Sequence, residues 1–110
     1  MAQEYIAMKT KKHGTVALST NVFTSIAHIC VAEEGNVEVA DNSRFKSNVI
    51  AKVSEDKLII DVVVKLKYLS NVQKTCAKLQ HNIFTSIKNM CDIETEEIDI
   101  RVSGFDFKES

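Results

Sequence analysis

Residues 57–68 hold the pattern that most narrows what this chain can become. Leu58, Ile60, Val62, Val64, Leu66 and Tyr68 share one parity, while Lys57, Ile59, Asp61, Val63, Lys65 and Lys67 share the other. A strand turns successive side chains to opposite faces, so one face here is wholly apolar and the other mixed. A one-residue slip would exchange the two faces, which fixes the register. Such a strand belongs in a sheet covered on one side. Just before it, Val49, Ala51 and Val53 alternate with polar or mixed residues, and Ser54-Glu55-Asp56-Lys57 supplies the turn of a hairpin.

The covering layer is legible on either side of this hairpin. Ser19 offers an N-cap oxygen to a helix over about 20–33, with Phe23, Ile26, Ala27 and Cys30 on one stripe. Gly35 is placed to end that helix in a left-handed cap. Ser70 and Gln73 have capping-box spacing before a second helix over about 71–91. Its apolar face reads Val72, Cys76, Leu79, Ile83, Ile87 and Met90, widened by Phe84, over roughly 30 Å of helix. Shorter strands are expected at 15–18, with Val16 and Leu18 on one face, and at 36–40, with Val37 and Val39 together. Residues 41–47 read as a polar loop around Phe45. Ile98, Ile100 and Val102 are in phase in a final strand. After Gly104 the apolar parity moves to Phe105 and Phe107, as a bulge or bend would require.

The order β-α-β, β-β, α-β is in outline a β-α-β-β-α-β arrangement. Two helices cannot cover both faces of so small a sheet, so the expected fold is α+β: a two-layer sandwich with a mixed sheet and both helices on one face. One domain is expected over 15–110, preceded by an arm or short edge strand over 1–14. The segment Asn21-Val22-Phe23-Thr24-Ser25-Ile26, followed by Cys30, is echoed by Asn82-Ile83-Phe84-Thr85-Ser86-Ile87, followed by Cys91. Duplication of a helix-strand unit and convergence on one helical pattern both account for it.

Composition limits the function. Fourteen basic and 15 acidic residues leave a net charge of −1, so no global field draws the protein to nucleic acid or an anionic membrane. Lys9, Lys11, Lys12 and His13 form a short basic cluster, and Glu94, Glu96, Glu97 and Asp99 an acidic one; both read as solvated charge. Cys30, Cys76 and Cys91 are odd in number and lack C-x-x-C spacing, which points to a reducing compartment. No apolar run approaches the ~20 residues of a membrane span, and the first 14 residues have no secretory-signal core. A cytoplasmic protein is expected, membrane-proximal only through a partner.

The chemistry-bearing residues are scattered. Cys76 and His81 are five apart on one helix and diverge around its axis, so no metal site is expected. His28, flanked by apolar residues, is expected to be part-buried. The three thiols lie on core faces or at helix ends, away from any base that would activate them. Glu33-Glu34, Glu55-Asp56 and Glu96-Glu97 sit at turns or strand entries, where carboxylates are solvated. Three isolated glycines cannot cradle a phosphate. The sheet face opposite the helices would show Lys57, Ile59, Asp61, Val63, Lys65 and Lys67, with none of the aromatics on which bases stack. A nucleic-acid-binding domain is therefore an alternative that the sequence favours little. The candidate interaction residues are instead Ile59, Val63 and Lys65 on that face, with Phe105 and Phe107 at the end of the chain.

Four segments, GTVALS, LIIDVVVKLKY, SNVQKTCAKLQHNIFTSIKNM and EIDIRVSGFDF, occur in the order seen in the alkaline shock protein family, and the chain resembles that family over roughly residues 14–107. The last is the most specific: an alternating strand, a small or polar residue, glycine, then a hydrophobic pair. The segment near 41–47 departs from the pattern, being shorter than the glycine-rich loop of many relatives. The resemblance implies an α+β fold, no enzymatic activity and no cofactor. It also implies a role in envelope stress or homeostasis, carried out by self-association as a homo-oligomer or by docking to a small membrane anchor protein. Some relatives are linked instead to regulation of lipid metabolism.

Overall fold

A computed structural model describes residues 5–10, 14–35, 37–39, 48–68 and 71–106. Lys11, Lys12, His13, the loop near 41–47 with Phe45, Ser70 and Phe107 lie outside the described residues. The elements are β1 (Tyr5–Thr10), β2 (Gly14–Ser19), α1 (Thr20–Glu33), β3 (Val37–Val39), β4 (Val49–Ser54), β5 (Lys57–Lys67), α2 (Val72–Cys91) and β6 (Glu97–Asp106).

Strand β5 is the axis of the fold. Along one edge it pairs antiparallel with β4 over residues 57–62 and with β3 over residues 64–66, so these two short strands lie end to end in one lane. Along the other edge it pairs in parallel with β6 from Ile59↔Glu97 to Lys67↔Asp106. The sheet is thus mixed and, among the described strands, three lanes wide. Leu58, Ile60, Val62, Val64 and Leu66 are fully buried, and the residues between them are half-buried. This is the strict alternation that one covered face demands. Tyr68 falls one residue past the strand and is exposed, because its parity outlasts the sheet that would bury it.

Helix α1 packs on β3 and β4, α2 packs on β6, and the two helices touch each other above β5. Both lie on one face, giving the two-layer α+β sandwich. Cys30 joins them, its thiol donating to the Asn82 carbonyl (3.7 Å) and the Ser86 hydroxyl (3.5 Å). Lys78 Nζ reaches the largely buried Glu34 carboxylate at 3.6 Å. The stripe Phe23, Ile26, Ala27 and Cys30 is buried, extended by Thr20 and Val31. On α2 the buried line is Thr75, Leu79, Ile83, Ile87 and Cys91, with Cys76 and Phe84 beside it. Val72 and Met90, expected on that face, are exposed near its two ends.

Both helix starts are capped, one by a different residue than expected. Ser19 Oγ accepts from the Asn21 N–H at 3.2 Å. At α2 the cap is Asn71, whose Oδ1 accepts from the Lys74 N–H at 2.9 Å. Gln73 therefore stands one position too early to close a capping box. Helix α1 ends at Glu34, whose N–H is shared between the Cys30 and Val31 carbonyls. This tightened last turn leaves Gly35 outside the left-handed region, contrary to expectation.

The strand at 15–18 leaves the main layer. As β2 it pairs antiparallel with β1, from Tyr5↔Ser19 to Thr10↔Gly14, in a separate two-stranded sheet. Gly14 has φ +103°, a conformation that favours glycine. Ile6 inserts into the main core and Leu18 packs against it, anchoring the hairpin where it feeds α1.

Candidate protein-interaction surface

The sheet face opposite the helices is uncovered among the described residues, and its population follows from the register. Strand β5 contributes Ile59, Asp61, Val63 and Lys65, all half-buried. Strand β4 places Lys52 opposite Ile59 and Ile50 opposite Asp61. Strand β6 places Glu97, Asp99 and Arg101 opposite Ile59, Asp61 and Val63. Ile59 and Val63 thus stand four residues apart on one face of the central strand, with Asp61 between them, and Lys65 continues the row. Ile50 widens the apolar strip and is 38% exposed. The alternation of Val49, Ala51 and Val53 marks the opposite, core-facing parity of β4 and does not by itself single out Ile50. The signal was present: a large aliphatic on the side that should carry polar residues.

Charge frames this strip. Lys52 Nζ approaches Asp61 Oδ2 at 3.9 Å, and Lys57 Nζ approaches Glu96 Oε1 at the same distance. Glu97 shares a side-chain hydrogen bond with Asp99 and is repelled by its charge; partial desolvation and the charges of Asp61 and Glu96 add to the effect. Together they hold the Glu97 carboxyl above its ordinary value. No aromatic side chain shares this face among the described residues, which counts against base stacking.

Phe105 belongs to the other face. Ser103 is bulged out of the β5–β6 ladder between Val64↔Val102 and Lys65↔Gly104, and its hydroxyl donates to the Val64 carbonyl at 3.4 Å. The extra residue switches parity, as expected near Gly104, so Phe105 pairs with buried Leu66 and turns to the helix side. It remains 40% exposed. The structure therefore unites Ile59, Val63 and Lys65 but sets Phe105 apart from them.

An open cleft of about 450 Å³ lies where α2 passes the start of β6, lined by Ala77, Gln80, His81, Phe84 and residues 95–98. Gln80 Nε2 donates to the Ile98 carbonyl at 3.0 Å. The Thr95 hydroxyl is buried there with no hydrogen-bond partner. Strand β6 pairs only with β5 among the described strands, so its outer edge is open beyond the Gln80 contact.

The titratable groups elsewhere do not converge. His28 and His81 are both exposed; His28 sits on the solvent side of α1 rather than part-buried. Cys30, Cys76 and Cys91 are free thiols, and burial pushes the Cys76 and Cys91 thiols up, away from the reactive thiolate. Among the described residues no three His, Cys, Asp or Glu side chains are grouped to hold a metal ion. No described helix is long and apolar enough to cross a membrane.

Neither a curated protein nor a solved structure matches the chain. A family model does, over residues 8–107, and its description is a cell envelope-related function. With nearly the whole sequence inside that match, the chain belongs to the alkaline shock protein family, whose function is related to the cell envelope.

Proposed function

We propose that the protein performs its envelope role by association, as a homo-oligomer or docked to a membrane-anchored partner, from the cytoplasmic side. The observation that carries this reading is the uncovered sheet face, where Ile50, Ile59 and Val63 surround Asp61, with Lys52 and Lys65 at the margins. A sheet face of this kind excludes water well when a second protein surface closes over it, and its charged rim sets orientation. Three free thiols fit a reducing compartment. Ile59, Val63 and Lys65 are the residues assigned to docking on this face.

Replacing Ile59 and Val63 together with lysine tests the assignment. Both are half-buried at the surface, so the variant should fold with an unchanged circular dichroism spectrum. It should lose the higher-mass species in sedimentation, or the membrane-fraction partner retained by the wild type, by tenfold or more. A folded variant that associates as the wild type does would remove the open face from the reading. A wild type that stays monomeric and retains no partner would remove the reading itself.

A further inference from the structure

The outer edge of β6 presents an unpaired main chain, and the side chains along it are self-complementary. In a parallel pair, alternate residues of a strand turn their N–H and C=O groups away from the neighbour. The Gln80 contact to the Ile98 carbonyl marks the outward set as Ile98, Ile100 and Val102. A second copy of the strand running antiparallel must oppose outward residues to outward residues. Centring the two-fold axis on Ile100 pairs Ile98 with Val102 and Asp99 with Arg101, each twice. Centring it on Asp99 or Arg101 sets like charge against like, which is destabilising across a strand pair. The Asp99–Arg101 pairs fall at non-hydrogen-bonded positions, where opposing side chains are closest. They also bring a cation to the acidic end of the sheet face, where Asp61, Glu97 and Asp99 crowd together.

The same two-fold brings a projection to a recess. Phe105 stands five residues from Ile100 on the helix side, roughly 16 Å along a strand. The cleft lined by Ala77, His81, Phe84 and Thr95 lies on the helix side the other way from Ile100. Antiparallel pairing carries the second copy's Phe105 toward that cleft, and the first copy's Phe105 toward its counterpart, as an isologous interface requires. A second main chain alongside Thr95 offers its buried hydroxyl a partner. Gln80 is no obstacle, since the Ile98 carbonyl has a second lone pair. The other sheet edge has no such match: it is broken into β3 and β4, and β4 carries no acidic residue to oppose Lys52.

We propose that the β6 edge is a homodimerisation site, at which two copies pair antiparallel about Ile100 with Asp99 against Arg101 and Phe105 in the α2–β6 cleft of the other copy. This deepens the association reading and rests on it. The test uses two charge reversals at surface positions, Asp99→Arg and Arg101→Asp, with mass followed by sedimentation over a concentration series. Each alone sets like charges opposite each other and should weaken dimerisation at least tenfold. Mixed one to one, the two variants should dimerise again, because arginine at 99 then meets aspartate at 101 and arginine at 101 meets aspartate at 99. Phe105→Ser should weaken the dimer without a charge effect. A wild type that self-associates while the reversals change nothing, or while mixing restores nothing, overturns this edge and leaves association standing. A wild type that is monomeric at every concentration overturns the edge and the self-association reading together.

Discussion

At the scale of single residues, the fold holds several positions at a local cost. Glu55 and Asp56 form the two-residue turn between β4 and β5 with φ of 51° and 63°. Both φ values are positive, as in a type I′ turn, which matches the twist of a hairpin and favours Asn-Gly. The left-handed conformation costs a residue bearing Cβ about 1–2 kcal/mol, and glycine returns part of that gain through its freer unfolded chain. Replacing Glu55→Asn and Asp56→Gly together should therefore stabilise the protein by about 1 kcal/mol, seen as a Tm rise of about 4 °C. An unchanged or lower Tm would show that the two carboxylates contribute something the turn geometry does not reveal. Glu97 is a second such position. Its carboxyl lies above its ordinary value of 4.5 because Asp99, Asp61 and Glu96 crowd it. The folded state thus binds the proton more tightly than the unfolded chain. The stabilisation this gives is complete below pH 4.5 and is lost as pH rises through the raised value. At neutral pH the ionised group opposes folding. Glu97→Gln should melt higher than the wild type at pH 7, and the gap should close as pH falls below 4.5. A gap independent of pH would mean that charge at Glu97 is not its cause.

At the scale of elements, what the sequence made legible divides along a physical line. Strand β5 could be read residue by residue because its burial is decided by parity alone, from Leu58 to Leu66. The bulge beside Gly104 was legible for the same reason, as a break in parity. Helix α2 was located well but its face was rotated. A stripe through Cys76, Leu79, Ile83, Ile87 and Met90 and a line through Thr75, Leu79, Ile83, Ile87 and Cys91 share three residues, and apolarity favours the first. The helix instead lays an i, i+4 ridge along the sheet, so a threonine is buried and a methionine is left outside. This yields a contrast between two residues assigned to one face. Ile83→Ala should cost roughly 2–5 kcal/mol in a denaturant titration. Met90→Ala, at a side chain 70% exposed, should fall within about 0.5 kcal/mol of the wild type. Similar losses at both would restore the rotated face. The separate hairpin of β1 and β2 was not legible, because which strands share a sheet is a long-range choice that local alternation does not encode. Nor was the candidate surface wholly so. Ile59, Val63 and Lys65 follow from the parity of β5, whereas Ile50 enters only once the β4 register is known, and Phe105 changes face once the bulge is placed.

At the scale of the whole molecule, a narrow sheet favours the association proposed for this chain. With one face under two helices and, among the described strands, β5 alone flanked on both sides, most of the sheet is periphery. Each copy offers an apolar strip too short to form a large interface alone. Joining two copies at β6, as proposed, would extend the sheet across the two-fold axis and set two such strips on one continuous surface, enlarging the face proposed for docking. Linkage between assembly and folding then gives a global prediction. A partner that binds only the folded state stabilises it by RT ln(1 + [L]/Kd), about 2.7 kcal/mol when its free concentration is 100 times Kd. The wild-type Tm should therefore rise with protein concentration, by several degrees over a range that spans the dissociation constant. The Arg101→Asp variant should show a smaller rise over that range, its onset moved to at least tenfold higher concentration, and its equimolar mixture with Asp99→Arg should regain the wild-type dependence. A wild-type Tm that does not move across a range over which sedimentation shows dimer forming would mean that the contact stabilises the unfolded chain as much as the fold. A paired edge, which needs β6 already aligned on β5 to present Ile98, Ile100 and Val102 outward, cannot do that.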